Sequence, residues 1–295
     1  MVRENYFFKE RKNSYNEITF DKDNHNNMRR IPFHLLACLI ICATAVLASA
    51  CDIQISLDDA QPSPAAATAT IETEKTGQVP LIGINLNGLA QAYTTHLVEA
   101  APAAADIPTW DILPAHTVIS LNGYVIQSHM HKAQLIIYPV GELAKFNEGA
   151  GRKADELRAL LQTKQTGERM PFLPLFNAAQ VMRAQVKYLD FANGTGVRFL
   201  TQFDQAPIPI NNRELFYSFQ GLTYDGKYYL AVILPVNHPS LPADEMVNAT
   251  DMDAYMQNFR TNMNAAVATL EQQPANSFTP DLARLDEMIR SIEIK

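Results

Sequence analysis

The chain has 295 residues, and 24 lysines and arginines against 31 aspartates and glutamates give it a formal net charge of −7. Apolar residues make up 47% of the sequence and charged residues 19%, which excludes a collagen-like, coiled-coil or wholly disordered chain. Because a net negative charge repels phosphate backbones, we predict that nucleic acid is not a partner.

The beginning of the chain has the parts of an export signal. Residues 31–50 form an apolar run without a charged residue, two arginines precede it, and Ala48-Ser49-Ala50 ends it. This order of basic, apolar and small residues is typical of a secretory signal peptide. The polar tail before the run is longer than a signal peptide needs, so Met28 is an alternative start to Met1.

Cys51 follows the small residues directly, and Ala48-Ser49-Ala50-Cys51 resembles the lipobox of bacterial lipoprotein precursors. The resemblance implies cleavage before Cys51, lipidation of its thiol, and attachment to the cell membrane outside the cytoplasm. Two alternatives remain, namely an uncleaved anchor formed by residues 31–50, which have the length of a bilayer span, and simple secretion. Residues 52–295 contain no cysteine, so neither a disulfide nor a thiol nucleophile is predicted there.

Composition divides the chain into three parts. Residues 1–50 are the polar extension and signal peptide, and residues 51–78 combine the lipid-anchor cysteine with a tether rich in alanine, proline and threonine. Such a tether has too little apolar surface to fold. Residues 79–295 have the length and the apolar content of a single folded domain.

Strand signals dominate the middle of the folded part. Asn122-Gly123 predicts a hairpin turn between strands at 118–119 and 124–126. In residues 181–191, polar positions alternate with Met182, Ala184, Val186 and Tyr188, which predicts a strand with these four side chains on one face. Further strands are predicted at 134–138, 197–203, 215–224 and 227–236, with tight turns at Asn193-Gly194 and Asp225-Gly226.

Apolar residues at helical spacing predict helices over 153–164 and 251–272, and a third that begins at Thr279-Pro280. Ile292 and Ile294 then alternate as a final short strand. The predicted fold class is α+β, an antiparallel meander with amphipathic helices packed on one face.

Two further resemblances concern the folded part. The ending LARLDEMIRSIEIK, a helix followed by a strand, resembles the end of PsbP-like extracytoplasmic domains. The blocks YLDFANGTGVRFLTQF and PINNRELFYSFQGLTYDGKYYLAVILP are similar to uncharacterised bacterial lipoproteins. These resemblances imply an extracytoplasmic α+β domain and transfer no functional residue.

Histidines supply the candidate metal ligands. His129 and His131 are two residues apart, so in a strand both imidazoles point to the same face, and His116 lies near the start of the same predicted hairpin. The alternative is that they are polar residues on the outer face of a strand end.

No catalytic residue is predicted, because G-x-S-x-G, S-x-x-K and H-E-x-x-H motifs are absent from the sequence. No cofactor is predicted either. We therefore expect a non-catalytic binding or interaction module with an unknown protein or small-molecule partner. The alternative is a metal-dependent extracytoplasmic enzyme that uses His129 and His131. The proline-containing segment 207–213 is a stiff loop that could frame a ligand.

Overall fold

A computed structural model describes residues 80–104, 106–165, 167, 169–246 and 252–295. These residues belong to one compact unit, residues 71–295. The predicted signal peptide, Cys51 and the tether over 51–78 lie outside the described residues. Within the described ranges, no helix combines the length and the apolar character that crossing a bilayer requires.

Nine strands and four α-helices make up the described part of the chain. The strands are β1 (Ile82–Gly83), β2 (Ala92–Val98), β3 (His116–Asn122), β4 (Gln134–Pro139), β5 (Ala179–Phe191), β6 (Gly194–Asp204), β7 (Phe216–Thr223), β8 (Tyr228–Pro235) and β9 (Glu293–Ile294). The helices are α1 (Val140–Phe146), α2 (Glu148–Thr163), α3 (Met252–Glu271) and α4 (Leu282–Arg290).

Seven strands form one antiparallel sheet in the order β2-β3-β4-β8-β7-β6-β5. Strands β5 to β8 follow one another as a meander, and the pairing of β4 with β8 joins this meander to β2 and β3. The turns at Asn193-Gly194 and Asp225-Gly226 lie where the sequence predicts them, because β6 and β8 follow directly. The predicted α+β class with an antiparallel meander is confirmed.

The sheet is buried on both faces, and its helices are divided between them. On one face, α2 packs over Phe199, Phe216 and Tyr229. On the other face, α4 packs over Tyr217, Phe219 and neighbouring apolar residues. This arrangement differs from the expectation that all helices lie on one face, because every residue of β7 is buried and both sides of the central strands need a cover.

A β-bulge in β5 changes which side chains face each core. Gln185 has a φ of 56°, and the pairing of β5 with β6 shifts register between Ala184 and Lys187. Met182 and Ala184 therefore belong to the core beneath α4, whereas Val186 and Tyr188 pack on the opposite core. The prediction that all four share one face is wrong, because an inserted residue reverses the alternation.

Asn122-Gly123 does turn the chain, but residues 124–126 form no strand. Tyr124 instead turns into the core, where its hydroxyl donates a hydrogen bond to the carbonyl oxygen of Pro235 at 3.0 Å. A loop then leads to β4, which pairs with β3. The predicted tight hairpin is therefore wrong, and β3 pairs instead with β4 through a long connection.

The C-terminal elements close the fold over β5. Helix α4 begins after Asp281, whose carboxylate accepts a hydrogen bond from the backbone N–H of Ala283, rather than at Thr279-Pro280. Its apolar side is fully buried, and β9 pairs with β1 so that Ile294 lies opposite Ile82. The predicted final strand is thus present, and its partner is the start of the described chain.

One buried carboxylate joins α4 to the sheet. The side chain of Asp286 is 2% exposed, and its oxygens accept hydrogen bonds from Tyr217 Oη at 3.0 Å and Arg198 Nε at 3.2 Å. Lys187 Nζ adds a third contact at 2.9 Å. Burial and the neighbouring Asp286 raise the pKa of Tyr217 well above its usual value, so the phenol remains a donor.

We expect Asp286→Ala to lower the free energy of unfolding by about 3–5 kcal/mol, because it leaves the Arg198 guanidinium buried without its counter-charge. Urea unfolding followed by circular dichroism measures the change. Asp155→Ala is the matched control, since Asp155 also pairs with an arginine at 2.5 Å but its side chain is 75% exposed. The control should change stability by about 0.5 kcal/mol or less. Equal losses of unfolding free energy for the two variants would contradict the role of Asp286 as a buried counter-charge.

Candidate functional site

A cleft of about 370 Å³ lies at one end of the sheet. The pairing of β2, β3 and β4 places Leu97, Thr117 and Ile137 side by side at this end of the sheet, and all three line the cleft. Pro139 ends β4 and precedes α1, whose Glu142 and Phe146 are four residues apart and so line the cleft from the same side of the helix. The walls are therefore mostly apolar.

His116 is the imidazole that lines this cleft. Its Nδ1 lies 2.8 Å from the carbonyl oxygen of Pro114, and a carbonyl only accepts, so the proton is on Nδ1. Burial lowers the pKa of His116, the Pro114 hydrogen bond partly opposes this, and His96 adds to the lowering. The ring is therefore neutral at pH 7, and Nε2 is left as a hydrogen-bond acceptor without a partner in the described part of the chain.

The other polar groups of the cleft leave the site weakly charged. Thr117 is buried, and Glu142 at the mouth forms an exposed ion pair with Lys145 at 2.8 Å. Such surface pairs contribute little energy and are screened by salt. The arrangement can therefore hold an apolar molecule and accept one hydrogen bond from it at His116 Nε2.

The predicted histidine pair lies at the opposite end of the sheet from His116. His129 Nε2 donates to the carbonyl oxygen of Leu215 at 2.8 Å, and its Nδ1 accepts from the backbone N–H of His131 at 3.0 Å. Both ring nitrogens of His129 are thus occupied. His116 is absent from this pair because it starts β3, whereas the pair lies in the loop after that strand.

His131 packs among aromatic rings. Its ring stacks on Phe176 with centroids 5.5 Å apart and meets the edge of Phe216 at 4.7 Å. Burial, with a smaller contribution from His129, lowers the pKa of His131 to about 4. Among the described residues, no group of three or more histidine, cysteine, aspartate or glutamate side chains is placed to hold a metal ion. The geometry gives the predicted metal site no support.

A pair of buried carboxyl groups was missed by the sequence analysis. Asp204 ends β6 and Glu214 precedes β7, and the two side chains are hydrogen-bonded to each other. Gln202 Nε2 donates to Asp204 Oδ2 at 2.9 Å. Burial, and then the hydrogen bond and charge of Asp204, raise the pKa of Glu214 to about 8, so the pair shares one proton at neutral pH. The sequence did contain a signal for this pair, because Asp204 and Glu214 flank the stiff loop between two buried strands.

The loop between these carboxyl groups frames a second, smaller cavity of about 140 Å³. Ile208, Pro209 and Ile210 form one side, and Tyr255 and Phe259 of α3 form another. Burial raises the pKa of Tyr255, and its buried hydroxyl has no hydrogen-bond partner among the described residues. The prediction that segment 207–213 could frame a ligand agrees with this geometry, although the space is smaller than that of the His116 cleft.

The chemistry of these sites rests on the residues of this chain, because no protein-family model, curated protein or solved structure matches it. The His116 cleft is the larger of the two cavities, and it combines apolar walls with one oriented acceptor. It is therefore the candidate ligand site, and the Asp204–Glu214 pair is a buried titrating group beside the smaller cavity.

We expect Glu214→Gln to remove a contribution that lowers stability as pH rises between 6.5 and 8, so the variant should have a more positive slope of stability against pH than the wild type. A glutamate in an unfolded chain has a pKa of about 4.3, whereas Glu214 in the folded chain has one of about 8. At this site the folded state therefore binds more protons, and the contribution of Glu214 to the free energy of unfolding falls as pH rises through this window, by up to about 1.4 kcal/mol per pH unit.

Urea unfolding at several pH values measures this slope. His131 is neutral in the folded chain throughout the window but binds protons in the unfolded chain near pH 6.5, and it adds the same slope to the wild type and to Glu214→Gln, so it cancels in their difference. Glu148→Gln is the control, since that side chain is 86% exposed, and it should keep the slope of the wild type. A Glu214→Gln variant with the same slope as the wild type would show that the pair is fully ionised.

Proposed function

We propose that this protein is a membrane-tethered, extracytoplasmic lipoprotein whose folded part binds a small, uncharged, mainly apolar ligand and does not catalyse its conversion. The observation that carries the binding proposal is the cleft of about 370 Å³ with the neutral His116 in its lining. Ligand pockets of this size are usually apolar with a few placed polar groups, which is the composition found here.

The orientation of His116 defines the ligand that the cleft would prefer. Because Nδ1 is occupied by Pro114, Nε2 accepts a hydrogen bond and a ligand must donate it. An anionic ligand gains nothing from this neutral ring, and Glu142 at the mouth would repel it. The favoured class is therefore a flat or compact apolar molecule with one N–H or O–H donor.

Two observations favour binding over catalysis. Acyl or phosphoryl transfer needs a nucleophile, a base that a third group orients, and donors for the developing charge. The polar side chains of the cleft are His116, Thr117, Glu142 and Tyr228, and Thr117 is 1% exposed. Metal-assisted chemistry at His129 and His131 has no geometric support, since both nitrogens of His129 are already hydrogen-bonded.

The proposed tether rests on the sequence. The apolar run, Ala48-Ser49-Ala50 and Cys51 together support lipidation, and the alanine- and proline-rich segment that follows would hold the folded part away from the membrane. One acyl chain binds a bilayer reversibly, so stable attachment requires the second chain that diacylation supplies.

We expect Cys51→Ser to abolish incorporation of labelled palmitate and to leave the protein as a precursor of higher mass. The reason is that the acyl acceptor is the thiol of Cys51, whereas Cys38 and Cys42 lie within the apolar run that cleavage removes. Metabolic labelling followed by gel fluorography measures both effects, and Cys42→Ser is the matched control, which should be labelled normally. Labelling of Cys51→Ser, or none of the wild type, would contradict lipidation.

We expect indole, an apolar ring with a single N–H donor, to bind the cleft more tightly than indene, which has the same shape without the donor. The hydrogen bond to His116 Nε2 should contribute about 1 kcal/mol, which is about fivefold in dissociation constant. Titration by calorimetry or NMR measures both affinities.

His116→Phe removes the acceptor while retaining a ring, so it should bind the two compounds equally. His96→Phe is the matched control, because His96 lies on the neighbouring strand β2 and does not line the cleft. Equal affinities on the wild type, or a preference that survives His116→Phe, would contradict the proposed role of His116.

A further inference from the structure

The two edges of the seven-stranded sheet are β5 and β2, and they differ in how they are protected. Strand edges carry unpaired N–H and C=O groups that can pair with another chain, and proteins usually block them with bulges, charges, proline or a covering helix. The β5 edge has three of these devices. It contains the Gln185 bulge and the charged side chains Arg183 and Lys187, and α3 and α4 pack against it.

Among the residues that the structure describes, the β2 edge has none of them. Its sequence, AYTTHLV, contains no proline and no lysine, arginine, aspartate or glutamate, and it pairs with β3 without a register shift. Residues 92–96 are all exposed. Threonine, tyrosine and valine favour extended structure, so β2 is a flat strand of seven residues with an open side. No other described strand covers that side.

Hydrogen bonding across β3 shows which groups of β2 face outward. The backbone N–H of Leu121 donates to Ala133 in the chain segment leading into β4, at 3.0 Å. Because hydrogen-bonded and non-bonded pairs alternate in antiparallel ladders, Leu121 directs its backbone groups away from β2. Its partner Tyr93 therefore directs its own N–H and C=O to the open edge, and the alternation gives Thr95 and Leu97 the same orientation.

We propose that the β2 edge pairs with β2 of a second copy of this chain, antiparallel and centred on Thr95, to form one continuous sheet across a two-fold axis. In this register Thr95 lies opposite Thr95 of the second copy. Tyr93 of each copy lies opposite Leu97 of the other, so this pair occurs twice. All of these residues direct their backbone groups outward, so the pairing forms about six backbone hydrogen bonds. A two-fold interface of this kind closes and does not extend into a fibre.

The side chains of β2 are compatible with this register. The pairing of Tyr93 with Leu97 is an aromatic–aliphatic contact, and the Thr95 pair brings two hydroxyls together, both of which are favourable cross-strand neighbours. His96, whose pairing partner would be Thr94 of the second copy, is the only titratable side chain in β2 besides Tyr93. A second copy therefore brings no like-charged carboxylates or ammonium groups into opposition, although the chain carries a net charge of −7.

The test is sedimentation equilibrium of the full chain in density-matched neutral detergent, with variants at the two-fold axis. We expect a concentration-dependent dimer for the wild type and for Thr95→Val, which keeps the N–H and the strand preference. Thr95→Lys should weaken dimerisation at least about tenfold, because it places two ammonium groups opposite each other. Thr95→Pro removes an outward N–H without affecting the pairing with β3, and it should weaken dimerisation similarly.

Thermal unfolding checks that each variant is folded, and Thr95→Lys alone carries the test if Thr95→Pro does not fold. Amide hydrogen exchange identifies the surface. The amides of Tyr93, Thr95 and Leu97 should become protected as concentration rises, whereas those of Thr94 and His96, which face β3, should be protected at every concentration. A wild type that stays monomeric, a dimer that Thr95→Lys does not weaken, or outward amides that stay unprotected in the dimer would each overturn the proposal.

Discussion

The described fold depends on one buried carboxylate. Asp286 is a residue of α4 that faces the sheet. Its carboxylate contacts Tyr217, Arg198 and Lys187, which come from three different strands. Arg198 also donates to the carbonyl oxygen of Gln185, and the side chain of Gln185 donates to the carbonyl oxygen of Leu270 at the end of α3. The bulge in β5, the end of α3 and the position of α4 are therefore linked through a single network. Because Asp286, Arg198 and Tyr217 are buried, removing one of these three leaves its partners unsatisfied.

The burial that stabilises the sheet also determines the chemistry at its ends. Desolvation favours the uncharged form of every titratable group, so His116 and His131 are neutral at pH 7 and Glu214 keeps its proton. The centre of the sheet is filled from both sides by apolar side chains, and the two cavities described above lie towards its ends. A neutral cleft at one end and a titrating pair of acids near the other suit an uncharged ligand better than a polyanion, in agreement with the net negative charge of the chain.

The candidate sites were only partly accessible from the sequence. His116 was recognised as a chemically useful residue, but for a metal site with His129 and His131, because spacing along a strand implies a shared face. The structure places His129 in a loop where Leu215 and His131 occupy both of its nitrogens. The cleft around His116 is formed by α1, a helix that the sequence analysis did not predict, and by neighbouring strands. Asp204 and Glu214 are ten residues apart in sequence and meet only because β6 and β7 are neighbours.

The sequence by itself determined the elements whose cause is local. Alternation identified β5, apolar spacing identified α2, α3 and α4, and the tight turns at Asn193-Gly194 and Asp225-Gly226 followed from residues that tolerate turn geometry. Only the tertiary structure decided the bulge at Gln185, the division of helices between two faces, and the entry of Tyr124 into the core. The physical reason is that periodicity reports which side chains share a face of one element, whereas the identity of the surface that covers this face depends on contacts between residues far apart in the chain.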